Sequence, residues 1–189
     1  MIDDVDAALQ VLLAPGASNH GAEVSLEAPT RDWASRRSGP TLDVYLFDIR
    51  EDLDQRGVAR EPVVEDDRTV ALRVPPRFFR LAYLITAWTA RPDDEHRMLA
   101  DALAALVVLD SVPAAALTGW LAEQPATVRL EVALPLAEDR SMSDLWTALG
   151  GELKPSLEVV VTAPVHASRT IPVLAPPATR LAASAEPLP

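Results

Sequence analysis

The sequence contains no cysteine, only seven glycines and three histidines, and few aromatic residues. Without cysteine the chain can form no disulfide, no thiolate metal site and no thiol nucleophile. The best candidate for a membrane helix, residues 98–109, is far shorter than the roughly 20 residues a bilayer requires, and it contains Asp101. The N-terminus lacks the basic start and apolar stretch of a signal peptide. We therefore expect a cytoplasmic protein that does not insert into a membrane.

The familiar catalytic signatures are missing as well. The glycines form neither a GxGxxG fingerprint nor a phosphate-binding loop, and no serine lies in a GxSxG motif. The histidines, His20, His96 and His166, do not fall at a spacing that places two ligands on one helix face. We therefore assign no catalytic, cofactor-binding or metal-binding residue and expect no cofactor. An enzyme whose site is assembled from scattered residues is the least favoured interpretation.

The chain is strongly acidic. Its formal net charge of −11 repels phosphate backbones, and it has no basic stripe with interleaved aromatic residues, so we exclude nucleic acid as a partner. Acidic residues cluster at 52/54, 65–67 and 93–95 without the alternating oxygen ligands and turn glycine of a calcium loop. We interpret the first two clusters as solvated loop charge. The third is expected to stabilise the start of a helix.

Apolar residues recurring with periods of 3.6 and 2 predict the secondary structure. We expect helices at residues 3–13, 92–109 and 113–122, and a capped helix that begins after Ser141 and ends at Gly150-Gly151. Pro15-Gly16 is expected to end the first helix. We expect strands at residues 24–26, 42–49, 69–74, 81–89, 128–136 and 157–165, with the strand at 81–89 central and buried. Residues 31–40 and 50–68 are expected to be polar loops.

These elements do not alternate as in a nucleotide-binding α/β fold. We predict an α+β fold in which residues 1–170 form a single domain, with a mixed, mostly antiparallel sheet and helices packed on it. Residues 171–189 are rich in proline and alanine and are expected to form an extended tail. Trp88 and Trp146 fall at core positions. Trp33 falls in a predicted loop, where it is either an anchor at an interface or a locally packed side chain.

Several stretches, in their order and spacing, resemble one known family. They are residues 2–13; 44–51 (VYLFDIRE), followed by Arg56; 81–88 (LAYLITAW); 95–99 (EHRML); and 145–150 (LWTALG), leading into 154–157 (KPSL). Over about residues 2–168 the chain resembles the N-terminal domain family of the cap, or tail-terminator, proteins of extracellular, phage-tail-like contractile injection systems. Gln55 departs from the asparagine often found at its position, and the proline-rich tail stands where some members carry a further domain.

The resemblance implies a tail-terminator fold and a structural role. It implies a ring, taken as a hexamer, that terminates the tube and sheath at the end distal to the baseplate. The implied partners are other copies of this chain, the sheath protein and the inner-tube protein. The main alternative is an adaptor domain that links such a particle to cargo or to an anchor.

A ring closed by head-to-tail contacts requires two different patches on each subunit. The predicted loops at residues 31–40 and 50–68 carry mixed charge suited to specifying a partner. We also expect the tail to lie along a neighbouring copy and residues 157–171 to pair with an open sheet edge. The candidate interface residues are Trp33, Arg36, Arg37, Arg50, Asp52, Arg56 and Arg60.

Overall fold

The computed structural model describes residues 1–57, 59–65, 68–135, 141–165 and 170–172. The chain divides into a main unit, Met1–Arg56 with Arg77–His166, and a small unit, Gly57–Pro76 with Ala167–Pro189. The helices are α1 (Ile2–Asn19), α2 (Arg31–Arg36), α3 (Pro92–Leu106), α4 (Gly119–Ala122) and α5 (Met142–Ala148). The strands are β1 (Glu23–Ser25), β2 (Thr41–Glu51), β3 (Glu61–Glu65), β4 (Arg68–Arg73), β5 (Arg77–Trp88), β6 (Arg129–Val132), β7 (Ser156–Val165) and β8 (Thr170–Pro172).

The main unit is built on a five-stranded sheet with the strand order β1-β2-β5-β7-β6. The β1–β2 pairing is parallel, and the other three pairings are antiparallel. β5 is the central strand, and the side chains of residues 81–87 are all buried, as expected for a continuous apolar run. The predicted α+β fold, with a mixed, mostly antiparallel sheet and packed helices, is confirmed.

One face of the main sheet forms the larger hydrophobic core with α1 and α3. The helices contribute residues at helical spacing: Val5, Leu9, Leu13, Met98, Ala102 and Leu106. The strands contribute residues at alternate positions: Leu42, Val44, Leu81, Tyr83, Ile85, Val159 and Val161. Each large buried side chain stabilises the fold by roughly 1.5–3 kcal/mol, so this larger cluster contributes more hydrophobic stabilisation than the smaller one on the opposite face.

The first helix is longer than the sequence predicts. α1 continues through Pro15 to Asn19, so the prediction that Pro15-Gly16 ends it is wrong. Pro15 offers no N–H to the preceding turn. The last turn is nevertheless held by packing, since Ala17 is buried and His20 Nε2 lies 2.8 Å from Asp101 Oδ2 on α3. Tertiary contacts with α3 outweigh the local preference of proline.

The opposite face of the sheet carries a smaller cluster formed by α5 and neighbouring strands. Trp146 and Leu149 pack there against Leu84. The predicted cap of α5 is confirmed, because the Ser141 side chain accepts a hydrogen bond from Asp144 N. Gly150, with a φ of 70°, supplies the left-handed stop after the helix.

Four other sequence predictions need correction. Residues 31–36 form α2 rather than a loop, because Thr30 caps the helix by accepting from Trp33 N. The supposed loop at 50–68 contains β3, which pairs with β4. The helix expected at 113–122 is a 3-10 turn at Ala114–Ala116 followed by α4. The strand expected at 128–136 ends at Val132, where Ala133 has a φ of 50°; residue 136 lies outside the described residues.

β7 is paired with β5 on one side and, through residues 159–162, with β6 on the other. Residues 159–162 are therefore paired on both sides within the chain, and the expectation that residues 157–171 pair with an open sheet edge stays a prediction for the rest of that range.

The small unit is a three-stranded antiparallel sheet with the order β3-β4-β8. Among its described residues, Ala71 is the one apolar side chain that is buried. β8 begins at Thr170 and so straddles the predicted boundary between the domain and the tail. Residues 173–189 lie outside the described residues, and the extended tail stays a prediction.

Candidate assembly surface

The second face of the main sheet has two contrasting ends, one at each end of β2. Near Thr41 the face is covered by an aromatic cluster around Trp88. Near Glu51 it carries a charged cleft. Since a strand rises about 3.3 Å per residue, these ends lie roughly 30 Å apart.

Trp88 is the centre of the aromatic end. The Trp33 ring meets it edge-on with centroids 5.4 Å apart, and the Trp146 ring lies 6.4 Å away. Lys154 Nζ lies 4.1 Å from the Trp88 ring centroid, in a cation–π position. The same ammonium group is 2.7 Å from Glu95 Oε1.

Three of the stretches that carry the family resemblance meet at this point. Trp88 ends the LAYLITAW strand, Glu95 begins the EHRML helix turn, and Lys154 opens KPSL. Glu95 Oε1 also accepts a hydrogen bond from Thr89 N at 3.1 Å. Sequence spacing gave no indication of this junction, because the three residues come together only through the tertiary fold.

Trp33 is a packed side chain rather than an exposed loop residue. It is buried, and its indole N–H donates to Glu27 Oε2 at 2.9 Å. Packing on Trp88 accounts for its position. An interface role for Trp33 stays a prediction, although a side chain this buried offers little surface to another protein.

Arg36 and Arg37, the two predicted interface arginines near Trp88, differ in their contacts and exposure. Arg37 Nη1 donates to Trp88 O at 3.0 Å and to Gly39 O, and its guanidinium lies 5.7 Å from the Trp88 centroid. Arg36 is exposed, and its Nε donates to Asp32 O at 3.3 Å. Arg37 therefore holds α2 on the sheet, whereas Arg36 is available to a partner.

At the other end of β2, the predicted interface residues form a network of ion pairs. Arg56 makes a two-pronged contact with Glu51, Nε to Oε1 at 2.9 Å and Nη2 to Oε2 at 2.8 Å. Arg50 Nε lies 2.9 Å from Asp48 Oδ2, yet its side chain remains 72% exposed. Both arginines are thus held in defined positions at the surface.

Asp52 shapes the turn that follows β2. Its carboxylate accepts from Gln55 Nε2 at 2.8 Å and from Asp54 N at 3.1 Å. The hydrogen bond from the Gln55 side chain lowers the pKa of Asp52 below its usual value. The Gln55 side chain therefore helps to hold the Asp52 carboxylate that organises this turn.

A cleft of about 330 Å³ lies beside this network. Its floor contains the buried residues Ala82 and Val160. Its walls include an ion pair between Arg80 Nη2 and Glu131 Oε2 at 3.0 Å. The remaining lining residues are Asp48, Arg50, Glu51, Leu134, Pro135 and Glu158. Four carboxylates and two arginines line the cleft, which is suited to a charged partner rather than to a small apolar ligand.

Arg60, the last of the predicted interface residues, is exposed and belongs to the small unit.

Asp43 is a buried acidic residue that the sequence did not single out. It is fully buried on β2, in register with Ser25 and Thr86. Burial raises its pKa to about 8, although the Ser25 hydroxyl opposes part of that change. Neither carboxyl oxygen has a regular hydrogen-bond partner among the described residues.

The described residues contain no group of three or more His, Asp or Glu side chains placed to hold a metal ion. In that same part of the chain, every helix is too short or too polar to cross a bilayer.

The sequence matches the model of the Pvc16 N-terminal domain family over residues 4–180. No curated protein matches it. Among solved structures, the fold is similar to the sheath/tube terminator of an extracellular contractile injection system, PVC, in its extended state, with a TM-score of 0.68 and 24% identity. It is also similar to the tube-terminating cap of the anti-feeding prophage, AFP, with a TM-score of 0.65 and 23% identity. The matches cover 100% and 99% of this chain but only 64% and 62% of those chains.

Proposed function

Because the chain belongs to the Pvc16 N-terminal domain family, we propose that it is a structural cap that terminates the tube and sheath of a contractile injection system. The observation that carries the proposal is the family match over residues 4–180, joined to a fold shared along the whole chain with two terminators. The cap acts as a ring, a hexamer, at the end distal to the baseplate. It assembles in the cytoplasm from copies of this chain and contacts the sheath and inner-tube proteins.

The surface of the main unit supports this role. A head-to-tail ring needs two dissimilar patches on each subunit. The two ends of β2 differ in this way: the aromatic cluster and the exposed Arg36 lie near Thr41, and the charged cleft lies near Glu51. Arg36 belongs to one patch, and Arg50 and Arg56 belong to the other. Ion pairs hold Arg50 and Arg56 in place, which limits the entropy lost when a neighbour binds. We assign no catalytic function to this surface.

Loss of the cap in a producing cell tests the proposal. Deletion of the gene should yield tubes of irregular length without a terminal ring, and expression from a plasmid should restore both features. Particles of normal, fixed length that keep an intact terminal ring would contradict the cap function. Such particles that have lost only a cargo or an anchor would instead indicate the adaptor function.

A further inference from the structure

The outward side of α1 carries no charge over most of its length. Residues 7–19 include no Asp, Glu, Lys or Arg, although 24% of the residues of the whole chain are charged. The exposed side chains of this stretch recur at helical spacing and include Val11, Ala14, Pro15 and Ser18. A surface helix of a globular domain ordinarily places charged residues on its outer side. The outer side of α1 departs from this pattern and is suited to contact with another apolar surface.

α3 and the residues directly after it show the same pattern. The exposed side chains that follow Arg97 are those of Ala100 and Ala104, and Val107 and Val108 come just after the helix end. Val108 is 76% exposed. Adjacent exposed valines at the end of an uncharged helix side favour a docking surface over a solvated one.

The exposed sides of the two helices form one surface. The helices pack on each other, since a Cβ added at Gly16 would lie 3.5 Å from Asp101 Cβ, and His20 Nε2 lies 2.8 Å from Asp101 Oδ2. Both helices bury their opposite sides in the same hydrophobic core, through residues such as Leu13 and Leu106. Their exposed sides therefore adjoin and point away from the sheet. This surface, the helical face, comprises residues 11, 14, 15, 18, 100, 104, 107 and 108.

The charge around the helical face is of one sign. α1 contains three acidic residues and α3 contains four, whereas Arg97 is the one lysine or arginine in the two helices. Arg97 Nη1 is already paired with Asp94 Oδ1 at 2.6 Å. Two carboxylates border the face, Asp101 next to Ala100 and the exposed Asp110 two residues after Val108. The helical face is therefore an apolar surface with an acidic border.

This charge pattern limits what can bind there. Two copies that met through the same face would bring their acidic borders together, and the repulsion of like charges opposes that contact. An anionic membrane is opposed by the same repulsion. The arginines proposed for contacts between copies, Arg36, Arg50 and Arg56, lie at the two ends of β2 and not on this face. The fitting partner is another protein whose apolar surface has a basic border.

We propose that the helical face docks a protein of the particle other than this chain, through an apolar surface of that protein bordered by lysine or arginine. This inference rests on the proposed cap function, which requires a contact with the sheath and the tube. Burial of the apolar side chains supplies affinity, and the acidic border supplies orientation and a faster encounter.

Protection of single cysteines in the full chain tests the inference, because the natural sequence has no cysteine. Val11→Cys and Val108→Cys each place a thiol on the helical face. The control is Val64→Cys on β3 of the small unit, since Val64 is 57% exposed and Val11 56%. The probe is a preparation of tubes purified from producing cells that lack the gene. Labelling by a maleimide is timed for each purified variant with and without these tubes. We expect docking to slow labelling at least tenfold at Val11→Cys and Val108→Cys and by less than about twofold at Val64→Cys.

A charge reversal tests the basic border of the partner. Asp110→Lys should lower the apparent affinity for the tubes about tenfold at about 0.05 M salt, and the difference should shrink at about 0.5 M salt because ions screen exposed charges. Glu152→Lys is the matched control, since it makes the same change of charge at an exposed residue near Trp88. Equal effects of the two variants would contradict the proposed basic border.

The outcomes separate this inference from the cap function. A parent chain that docks on the tubes without protection of Val11→Cys and Val108→Cys would overturn the inference and leave the cap function standing. Slow labelling of these two variants before tubes are added would place a second copy or the chain's own tail on the face and would also overturn it. Equal protection of Val64→Cys would show that docking does not select the helical face. A parent chain that does not bind the tubes would contradict the cap function, and the inference with it.

Discussion

Lys154 and Glu95 form an ion pair, Nζ to Oε1 at 2.7 Å, that closes the aromatic end of the main sheet. The two side chains are 22% and 14% exposed, so water screens them only in part. Lys154 follows α5 and Glu95 lies in the first turn of α3. The pair therefore ties the start of α3 and the segment between α5 and β7 together beside Trp88.

Replacing Lys154 with methionine should destabilise the main unit. The Lys154→Met variant keeps the apolar stem but leaves the Glu95 carboxylate, among the described residues, with the Thr89 N–H alone. We expect the free energy of unfolding to fall by about 1–3 kcal/mol, as for a charged hydrogen bond that loses one partner. Urea unfolding measures the change. The control Arg91→Met alters a 73% exposed side chain in a 4.0 Å ion pair and should change stability by less than about 0.5 kcal/mol. Equal effects of the two variants would contradict a structural role for Lys154.

Gly119 should tolerate no side chain. It has a φ of 54°, and an added Cβ would collide with Asp4 Oδ1 of α1. We expect Gly119→Ala to lower the free energy of unfolding by about 2–4 kcal/mol, through backbone strain together with displacement of the buried Asp4 side chain. Gly21→Ala is the matched control, because Gly21 has a φ of 62° but no atom within 4 Å of an added Cβ. It should lower stability by only about 1–2 kcal/mol, from the strained backbone alone. Thermal or urea unfolding measures the stability of both variants. The loss in Gly21→Ala gives the cost of the strained backbone, and the additional loss in Gly119→Ala gives the cost of the collision with Asp4.

The framework of the main sheet could be predicted because its main strands have distinctive hydrophobic patterns. The apolar run at 81–89 and the alternation at 157–165 correspond to β5 and β7, and the Ser141 cap and Gly150 stop mark α5. The errors arise where tertiary contacts override local chemistry. Pro15 lies inside α1 because the next turn packs on α3.

The candidate surface was harder to predict for the same reason. In the sequence, Arg37 and Arg56 are both arginines that would be expected at the surface. Only the fold shows that Arg37 binds the Trp88 carbonyl and that Arg56 binds the Glu51 carboxylate. The junction of Trp88, Glu95 and Lys154 joins residues far apart in the chain, so no local pattern reveals it.

Reversing the charge of Arg56 should impair assembly more than folding. Arg56 is 44% exposed, and surface ion pairs contribute only about 0–1 kcal/mol to stability. The Arg56→Glu variant places two carboxylates side by side at the patch near Glu51, which should repel a complementary neighbour. We expect a free energy of unfolding within about 1 kcal/mol of the parent value and a loss of rings in native mass spectra. Arg129→Glu, an exposed change on β6, is the control. Rings that persist with Arg56→Glu would exclude this patch from the subunit contact.

Asp43 should make the stability of the main unit depend on pH. Its pKa is about 8 in the folded protein, against 3.8 as the reference for the unfolded chain. Between these values the folded state binds a proton that the unfolded state has released, so stability falls as pH rises through this window. The slope is about 1.4 kcal/mol per pH unit for a single group. The direction follows from burial, which opposes the charged form of the carboxyl.

The variant Asp43→Asn removes this titration while it keeps the shape of the protonated acid. We expect the parent protein to lose up to about 3 kcal/mol more stability than Asp43→Asn between pH 5 and pH 7.5. Urea unfolding at the two pH values measures the difference. Thr41→Val is the control, because Thr41 is buried on the same strand but does not titrate; it should shift stability equally at both pH values and retain the parent slope. A parent protein and an Asp43→Asn variant with the same slope would show that Asp43 is ionised in the fold. In that case a cation, supplied by the solvent or by a neighbouring subunit, would have to neutralise the buried carboxylate.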